Sequence, residues 1–257
     1  MKKVHLYFVC LLVLSMVVIP YKAFAFFGVE AGVGYWRQAP SGTLEYKGDS
    51  LDLKNDLNLG DKNQVFARVK IELPLVLPNI YLMATPMSFS GTNQLTRPIT
   101  FGNTTFDANT PIQTKLKMDH YDVALYYPIP LLKTATAGIL NAELGLNARQ
   151  IIFDGSITGK VLGVTETSSK SVTLYVPMIY AGVQVKPVSA FSIEGEIRGI
   201  AYGSNHYYDY IGRLKVMPFG PLFISGGYRS EQIKIDQSDV KTDAKFSGPF
   251  VEAGVIF

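Results

Sequence analysis

The sequence has 257 residues, of which 24 are basic and 21 acidic, for a formal net charge of +3. Three of the basic residues, Lys2, Lys3 and Lys22, lie in an apolar N-terminal segment. The remainder, with 21 charges of each sign, gives no support to nucleic-acid binding. The single cysteine, Cys10, lies in the same segment, which excludes a disulfide framework and cysteine-based metal sites from the rest of the chain.

The N-terminal segment has the organisation of a secretory signal peptide. Lys2 and Lys3 are followed by the apolar run "LYFVCLLVLSMVVIP" at 6–20, and "AFA" at 23–25 supplies a small-x-small cleavage site. The run is short for a membrane span, so an uncleaved anchor is the weaker interpretation. The sequence therefore predicts a signal peptide at 1–25 and one exported domain at 26–257.

The exported domain alternates between strand-like segments and two kinds of connection. Apolar and polar residues alternate with a period of two, which is typical of strands with two unlike faces. Compact, proline-containing connectors at 73–79, 128–136, 186–190 and 218–221 separate longer polar stretches at 37–63, 90–112, 154–170, 203–207 and 236–244. This rhythm is typical of an up-and-down barrel with short periplasmic turns and longer external loops.

The pattern predicts an all-β fold, a ten-stranded antiparallel barrel, with eight strands as the alternative if one hairpin lies outside the membrane. Pro86 and Pro177 are expected to mark bulges or bends in their strands. The predicted strands are 26–36, 64–72, 80–89, 113–127, 137–153, 171–185, 191–202, 208–217, 222–235 and 245–257.

Alternation alone does not say which face of the barrel points inward. A soluble, lipocalin-like barrel places its apolar face inside, whereas a membrane barrel places it outside. Small residues recur on the polar face, as a narrow lumen requires. Aromatic residues recur near the strand ends, where membrane barrels carry interfacial girdles: Phe26, Tyr35, Tyr127, Phe191, Tyr208, Tyr228 and Phe257. The sequence therefore predicts a transmembrane barrel, with the soluble barrel as the alternative.

The last predicted strand carries an outward apolar row of Val251, Ala253, Val255 and Phe257. With the signal peptide and the ten alternating strands, the terminal "VEAGVIF" resembles the closing strand of Gram-negative outer-membrane β-barrel proteins. The resemblance implies an outer-membrane location, contact with outer-membrane lipid and lipopolysaccharide, and recognition of the closing strand by the barrel assembly machinery. The segments "GVEAGVGYW", "PSG" and "GYRSEQIKID" also resemble a family of outer-membrane proteins without assigned activity.

The polar face of the predicted barrel carries charges of both signs. Mixed signs favour paired charges that fill a narrow lumen over a selectivity ring of one sign, and an open charged channel is the alternative. The residues expected to project inward by parity are Glu30, Arg68, Lys70, Asp122, Glu143, Arg149, Glu194, Glu196, Arg198, Asp209, Arg213, Arg229 and Glu252.

Chemistry at the barrel rim is the main alternative to a non-enzymatic role. The stretches "DHYD" and "NHYYD" supply His120 with Asp122 and His206 with Asp209, and a His–Asp pair that holds a water is a candidate general base. Some ten-stranded outer-membrane barrels are proteases of the omptin kind, which use Asp and His at the extracellular rim. No second acidic pair is assignable here, and no serine lies beside a histidine with an orienting acid, as a lipid-modifying enzyme would need.

No metal or cofactor site is predicted. The histidines lie far apart in sequence, and the acidic segments "DSLDLKND" and "DQSDVKTD" lack an EF-hand pattern, so both segments are expected to be solvated surface. We therefore expect a monomeric, non-enzymatic outer-membrane barrel without a nucleic-acid partner. Its role is expected to be structural, surface-binding or narrow small-solute transport.

Overall fold

The structure is a computed structural model that describes residues 27–74, 76–237 and 239–257. The predicted signal peptide at 1–25 and the predicted girdle residue Phe26 lie outside these ranges. The elements are β1 Gly28–Tyr46, β2 Ser50–Asp52, β3 Lys62–Glu72, β4 Asn79–Thr85, β5 Ser88–Gln94, β6 Ile99–Phe101, β7 Thr104–Phe106, β8 Pro111–Pro128, α1 Leu132–Ala135, β9 Leu140–Val161, β10 Val164–Val188, β11 Phe191–Tyr202, β12 Asn205–Val216, β13 Leu222–Asp236 and β14 Val240–Ile256.

The strands form a closed, antiparallel, ten-stranded barrel, as the sequence predicts. The wall follows chain order, with β4 and β5 together forming its third strand and both pairing with β8. The short β2 adds to the distal part of β1, and β6 and β7 form a separate hairpin. No helix in the described ranges is long and apolar enough to cross a membrane.

The barrel closes between its first and last strands. The β1–β14 register runs from Glu30 opposite Ile256 to Tyr46 opposite Val240. Beyond it, Val29 and Phe257 exchange backbone hydrogen bonds of 3.0 and 2.8 Å. Closure satisfies the backbone groups of both strands, so neither strand presents an open edge along this seam.

The two ends of the barrel differ in how the strands are connected. We call the end where β1 begins and β14 finishes the proximal end, and the opposite end the distal end. Proximal connections are 73–78, 129–139, 189–190 and 217–221, whereas distal connections are 47–61, 95–110, 162–163, 203–204 and 237–239. The first two distal connections are long and carry the additional strands β2, β6 and β7.

The predicted polar loop at 154–170 is wrong. The segment is the distal part of a long β9–β10 hairpin, paired without interruption from Val161 opposite Val164 to Leu140 opposite Val185. Its turn consists of Leu162 and Gly163, which have positive φ angles of 49° and 82°, as a two-residue hairpin turn of the primed type requires. Above the membrane the outer face of a strand is hydrated, so its composition resembles that of a loop.

The two prolines have different effects. Pro86 separates β4 from β5, which confirms the predicted bend in the third wall strand. Pro177 does not interrupt β10, which stays paired with β9 through it. Instead, the β11 partner of β10 begins only at Ile179 opposite Gly199. Proline has no backbone N–H to donate. Pro177 lies at the point where β10 loses its pairing with β11.

The outer surface of the barrel wall is apolar, as in a membrane barrel. Val33, Leu144, Ile193 and Val251 all project outward and are exposed. At the distal boundary of this belt the outward residues are aromatic: Tyr35, Tyr121, Tyr175 and Tyr228. The apolar belt faces lipid and the tyrosines lie at its interface with water, so the interior is the polar side of the wall.

The interior has two parts of different chemistry. Within the belt it contains charged and aromatic side chains, described below as the charged interior. Above the belt it contains the distal apolar core, whose buried members include Leu51, Leu53, Phe89, Phe101, Leu116 and Phe246.

The expected solvated surface at "DSLDLKND" is therefore only partly correct. Leu51 and Leu53 are buried in the distal apolar core, while the carboxylate of Asp52 accepts hydrogen bonds from the backbone N–H groups of Lys54 and Asn55. A tight turn thus places the leucines and the charged residues on opposite sides. The charged residues give the segment the composition of a solvated surface although its leucines are buried.

Candidate functional site: the charged interior

The charged interior brings together all the residues expected to project inward by parity. Each of the thirteen points into the lumen, and most are buried; Glu30, Lys70 and Glu143 keep modest exposure near the proximal end. Among the described residues, ion pairs join seven cationic side chains to eight carboxylates in this interior. The charges are therefore nearly balanced.

The proximal half of the network begins with Arg68, which pairs with carboxylates from the two strands of the closing seam. Arg68 Nε donates to Glu252 Oε1 at 2.6 Å, and its Nη2 donates to Glu30. Lys215 Nζ lies 2.7 Å from oxygens of both Glu30 and Glu194. Opposite walls of the lumen are thus joined across its centre.

The same half continues around Glu196, which is almost fully buried. Arg213 Nη2 lies 3.1 Å and Arg198 Nη2 lies 3.3 Å from its carboxylate, and Tyr81 donates its hydroxyl at 3.0 Å. Lys70 Nζ pairs with Glu143 at 3.0 Å. A buried carboxylate needs such partners because desolvation without them costs several kcal/mol.

The distal half is centred on Asp209, whose side chain has no exposed surface. Its Oδ2 atom lies 2.6 Å from Arg149 Nη2, 2.9 Å from Arg229 Nη2 and 3.8 Å from Arg198 Nη1. Its Oδ1 accepts a further hydrogen bond of 2.9 Å from Arg229 Nε. Arg149 also binds Asp122 with two hydrogen bonds of 2.8 and 3.0 Å.

Aromatic rings fill the space between the charges. The Arg198 guanidinium carbon lies 4.6 Å from the Tyr81 ring centroid and 5.3 Å from that of Tyr180. The Arg229 guanidinium carbon lies 4.6 Å from the Trp36 ring centroid. These distances are typical of cation–π contacts, and the rings exclude the water that would otherwise solvate the cations.

Parity reasoning omitted two members of the network, Lys215 and Glu231. Both follow an assigned inward residue by two positions, Arg213 and Arg229 respectively, so the same period-of-two rule identifies them. Glu231 Oε1 lies 3.0 Å from His120 Nε2 and also pairs with Arg229. The inward tyrosines were not assigned either, because an aromatic residue on a membrane strand is equally consistent with the lipid-facing girdle.

The rim site proposed as an alternative is not assembled. His120 has no exposed surface and lies below the distal apolar core, beside Glu231 and Arg229. Asp122 and Asp209 are both bound by Arg149. His206 lies on the outward face of β12, where it stacks on Tyr208 at a centroid distance of 5.2 Å.

His206 and Asp209, the second pair of the enzymatic alternative, do not face each other. They are three positions apart on a strand, so they point to opposite faces of the wall. No group of three or more His, Cys, Asp or Glu side chains in the described ranges is arranged to hold a metal ion.

An open space remains at the proximal mouth of the lumen. This cavity of about 130 Å³ is lined mainly by polar and charged side chains, among them Glu30, Lys70, Glu143 and Lys215. Above it, Arg149, Arg198 and Asp209 have no exposed surface, and side chains occupy the cross-section. The proximal mouth is thus a shallow vestibule that ends at the buried ion pairs.

Comparison with solved structures agrees with the barrel architecture. No protein-family profile matches the chain, and no curated protein matches its sequence. The outer membrane protease OmpT from Escherichia coli is similar to this chain with a TM-score of 0.54 at 10% identity, over 91% of this chain and 97% of that one. The fold is that of the Gram-negative outer-membrane β-barrels.

Two further solved structures share the barrel class at lower similarity. The attachment invasion locus protein Ail of Yersinia pestis has a TM-score of 0.36 at 12% identity, over 90% of this chain and 99% of that one. Neisserial surface protein A has a TM-score of 0.31 at 12% identity, over 90% of this chain and 97% of that one. The barrel fold and its apolar belt place the present chain in the Gram-negative outer membrane.

Proposed function

We propose that the chain is a non-enzymatic outer-membrane barrel whose interior is closed to solutes and which acts through binding at its distal end. The observation that carries the closed interior is the fully buried layer around Asp209, Arg149 and Arg198. A barrel of about eight to ten strands has a lumen only marginally wider than its own side chains. Paired charges of both signs fill that width without presenting the single-sign ring that an ion pathway would use.

The distal apolar core supports the same conclusion. It lies directly above the charged interior, so a solute entering from that side meets buried side chains such as Phe89, Met87 and Phe246 before any charge. The rings of Phe89 and Phe246 are stacked at a centroid distance of 5.4 Å across the lumen. Two successive barriers, one apolar and one ionic, favour a closed interior over narrow transport.

A catalytic role has less support from the geometry. A general base needs access to a substrate or to a water that it activates. His120 has no exposed surface, and His206 lies outside the wall without a carboxylate partner on its own face among the described residues. We therefore propose a non-enzymatic role, and we do not carry the similarity of fold to a protease over to activity.

We also propose the partners of the barrel. Outer-membrane lipid and lipopolysaccharide surround the apolar belt, and the barrel assembly machinery recognises the closing strand through Val251, Ala253 and Val255 of β14 and through the following Phe257. We propose a monomer, since closure between β1 and β14 occurs within one chain.

Planar-bilayer recording tests the closed interior: we expect no steady single-channel conductance from the purified barrel. A stable open level in symmetric salt would contradict the proposal.

A further inference from the structure

The distal apolar core contains a cavity of about 130 Å³. Its floor includes Leu53, Met118, Ile151 and Phe246, which are buried. A cavity of about 150 Å³ with such a lining stays dry and binds a molecule of the size of benzene. The cavity is therefore large enough for a ring or a short stretch of an alkyl chain.

The cavity lies beside a gap in the barrel wall. The distal part of β10, from Val164 to about Pro177, pairs with β9 on one edge but has no β11 partner on the other. β11 and β12 turn back at 203–204, where His206 still lies opposite Lys234 near the distal end of β13, whereas β10 extends from its last β11-paired residue, Ile179, out to Val164. No residue of β11 or β12 lines the cavity. The short β11–β12 hairpin thus leaves a lateral opening between β10 and β13.

The lower edge of this opening lies at the membrane interface. Leu174 projects toward the cavity and is still 40% exposed, while its neighbour Tyr175 projects outward within the aromatic girdle. Because adjacent residues of one strand line the cavity and contact the interface, the cavity mouth is continuous with the apolar surface at the edge of the membrane.

The upper edge of the opening carries one charged residue. In the part of the chain that the structure describes, Lys170 is the only charged side chain in the cavity lining. Its Nζ atom lies 5.5 Å from the Tyr46 ring centroid, and it has no ion-pair partner among the described residues. An apolar cavity with one solvated cation above its mouth is complementary to a molecule with an alkyl chain and an anionic head.

We propose that the distal cavity binds the alkyl chain of an anionic amphiphile, which enters laterally through the gap between β10 and β13, with Lys170 contacting its head group. This proposal specifies the binding role put forward above and rests on it. A free fatty acid and an anionic membrane lipid share this chemistry, so the test includes both.

The test uses the full barrel in phosphatidylcholine vesicles and photo-crosslinking with palmitic acid that carries a terminal diazirine. Adducts are mapped by mass spectrometry. We expect them on cavity-lining side chains such as Phe153, Leu174 and Ile235, with competition by unlabelled palmitate. Adducts confined to belt residues such as Leu144, without competition, would overturn the proposal.

Two Ala→Phe variants provide a matched comparison. Ala244→Phe on β14 places a ring in the cavity and is expected to reduce adduct formation about tenfold or more, whereas Ala148→Phe, on the exposed lipid-facing side of β9, is expected to leave it unchanged. Folding of both is checked by heat-modifiability. If Ala244→Phe does not fold, Val172→Trp at the free edge of β10 fills the mouth instead. Equal labelling in a folded cavity-filling variant would refute the cavity as the site.

A charge-reversal variant separates the contribution of the ligand's head group from that of its alkyl chain. Lys170→Glu is expected to lower labelling by the anionic probe about fivefold and to leave labelling by a diazirine-bearing palmityl alcohol unchanged, since an exposed ion pair contributes about 1 kcal/mol. Equal loss for both probes would contradict the assigned role of Lys170. A diazirine-bearing phosphatidylglycerol then distinguishes the sources: labelling identifies a membrane lipid, and its absence identifies the free acid.

Conductance of the same vesicles is recorded in parallel. A conducting barrel with specific cavity labelling would refute the closed interior but not the ligand site. A closed barrel without specific labelling would refute the ligand site alone.

Discussion

Asp209→Asn is expected to destabilise the barrel more than any single exposed substitution. The Asp209 Oδ2 atom accepts from Arg149 at 2.6 Å and from Arg229 at 2.9 Å, so one oxygen serves two buried guanidinium groups. In the Asp209→Asn variant one of the two carboxylate oxygens is replaced by an N–H donor, while the other still accepts from Arg229. Two cations then lose their shared counter-charge in a site without solvent.

The magnitude follows from the cost of breaking a buried pair. Removing one partner of such a pair costs about 3–5 kcal/mol because the remaining charge is uncompensated. Glu231 stays within reach of both Arg229 and Arg149, which lowers the expected loss to about 3 kcal/mol. The matched control is Asp61→Asn, because Asp61 pairs with Arg37 at 3.0 Å on an exposed surface. We expect a loss below about 1 kcal/mol there.

The assay is equilibrium urea unfolding in lipid vesicles, followed by tryptophan fluorescence. Trp36 is the only tryptophan of the chain, and it is buried against Arg229 inside the barrel, so its emission reports opening of the charged interior. Equal, small losses for Asp209→Asn and Asp61→Asn would refute the reasoning. Strictly additive losses of unfolding free energy for Asp209→Asn and Arg149→Gln in the double variant would also refute it, since residues in one buried network couple by about 0.5–3 kcal/mol.

Two further predictions concern the wall. A Cβ at Gly145 would meet the backbone oxygen of Leu125, so Gly145→Ala is expected to cost about 1–3 kcal/mol in the same unfolding assay. The control is Gly212→Ala, which has open space around it and is expected to be near neutral. Equal effects of the two substitutions would contradict the close approach of β8 and β9. Deletion of Phe257 removes two backbone hydrogen bonds to Val29, which contribute about 1 kcal/mol each. Because this loss is small, the truncated chain is expected to refold in detergent micelles with near-normal heat-modifiability. In cells it is expected to accumulate in the periplasm, because the assembly machinery no longer recognises its closing strand. Normal insertion in cells would refute the assembly role.

Much of the wall was predictable from sequence because the period-of-two rule depends only on strand geometry. That rule assigns Asp209 and Arg229 to the interior and extends without change to Lys215 and Glu231. It fails where both faces of a strand have similar polarity. The distal parts of β9 and β10 carry polar residues toward water, so 154–170 has the composition of a loop although it is a hairpin.

The candidate binding site was not predictable for a different reason. Its lining comes from strands that are far apart in sequence, with Leu44 and Ala244 some 200 positions apart. Its opening depends on the relative lengths of neighbouring hairpins, which requires the register of each. Alternation assigns Leu174 to the inward face but does not show that β11 ends too low to cover it.

The claim that the charged face is inside and closed is tested most directly by two single-cysteine variants at adjacent positions of β13. Ser225 is 2% exposed and donates to Glu252, whereas Ile224 is 59% exposed on the lipid-facing side. Each variant is treated in vesicles with a charged, water-soluble thiol reagent and with a lipid-soluble maleimide. We predict that Ile224→Cys reacts only with the lipid-soluble reagent and that Ser225→Cys reacts with neither until the barrel is unfolded. Rapid reaction of Ser225→Cys with the charged reagent would show an open aqueous lumen. If Ser225→Cys reacted with the lipid-soluble reagent and Ile224→Cys did not, the inward and outward faces of the wall would be reversed.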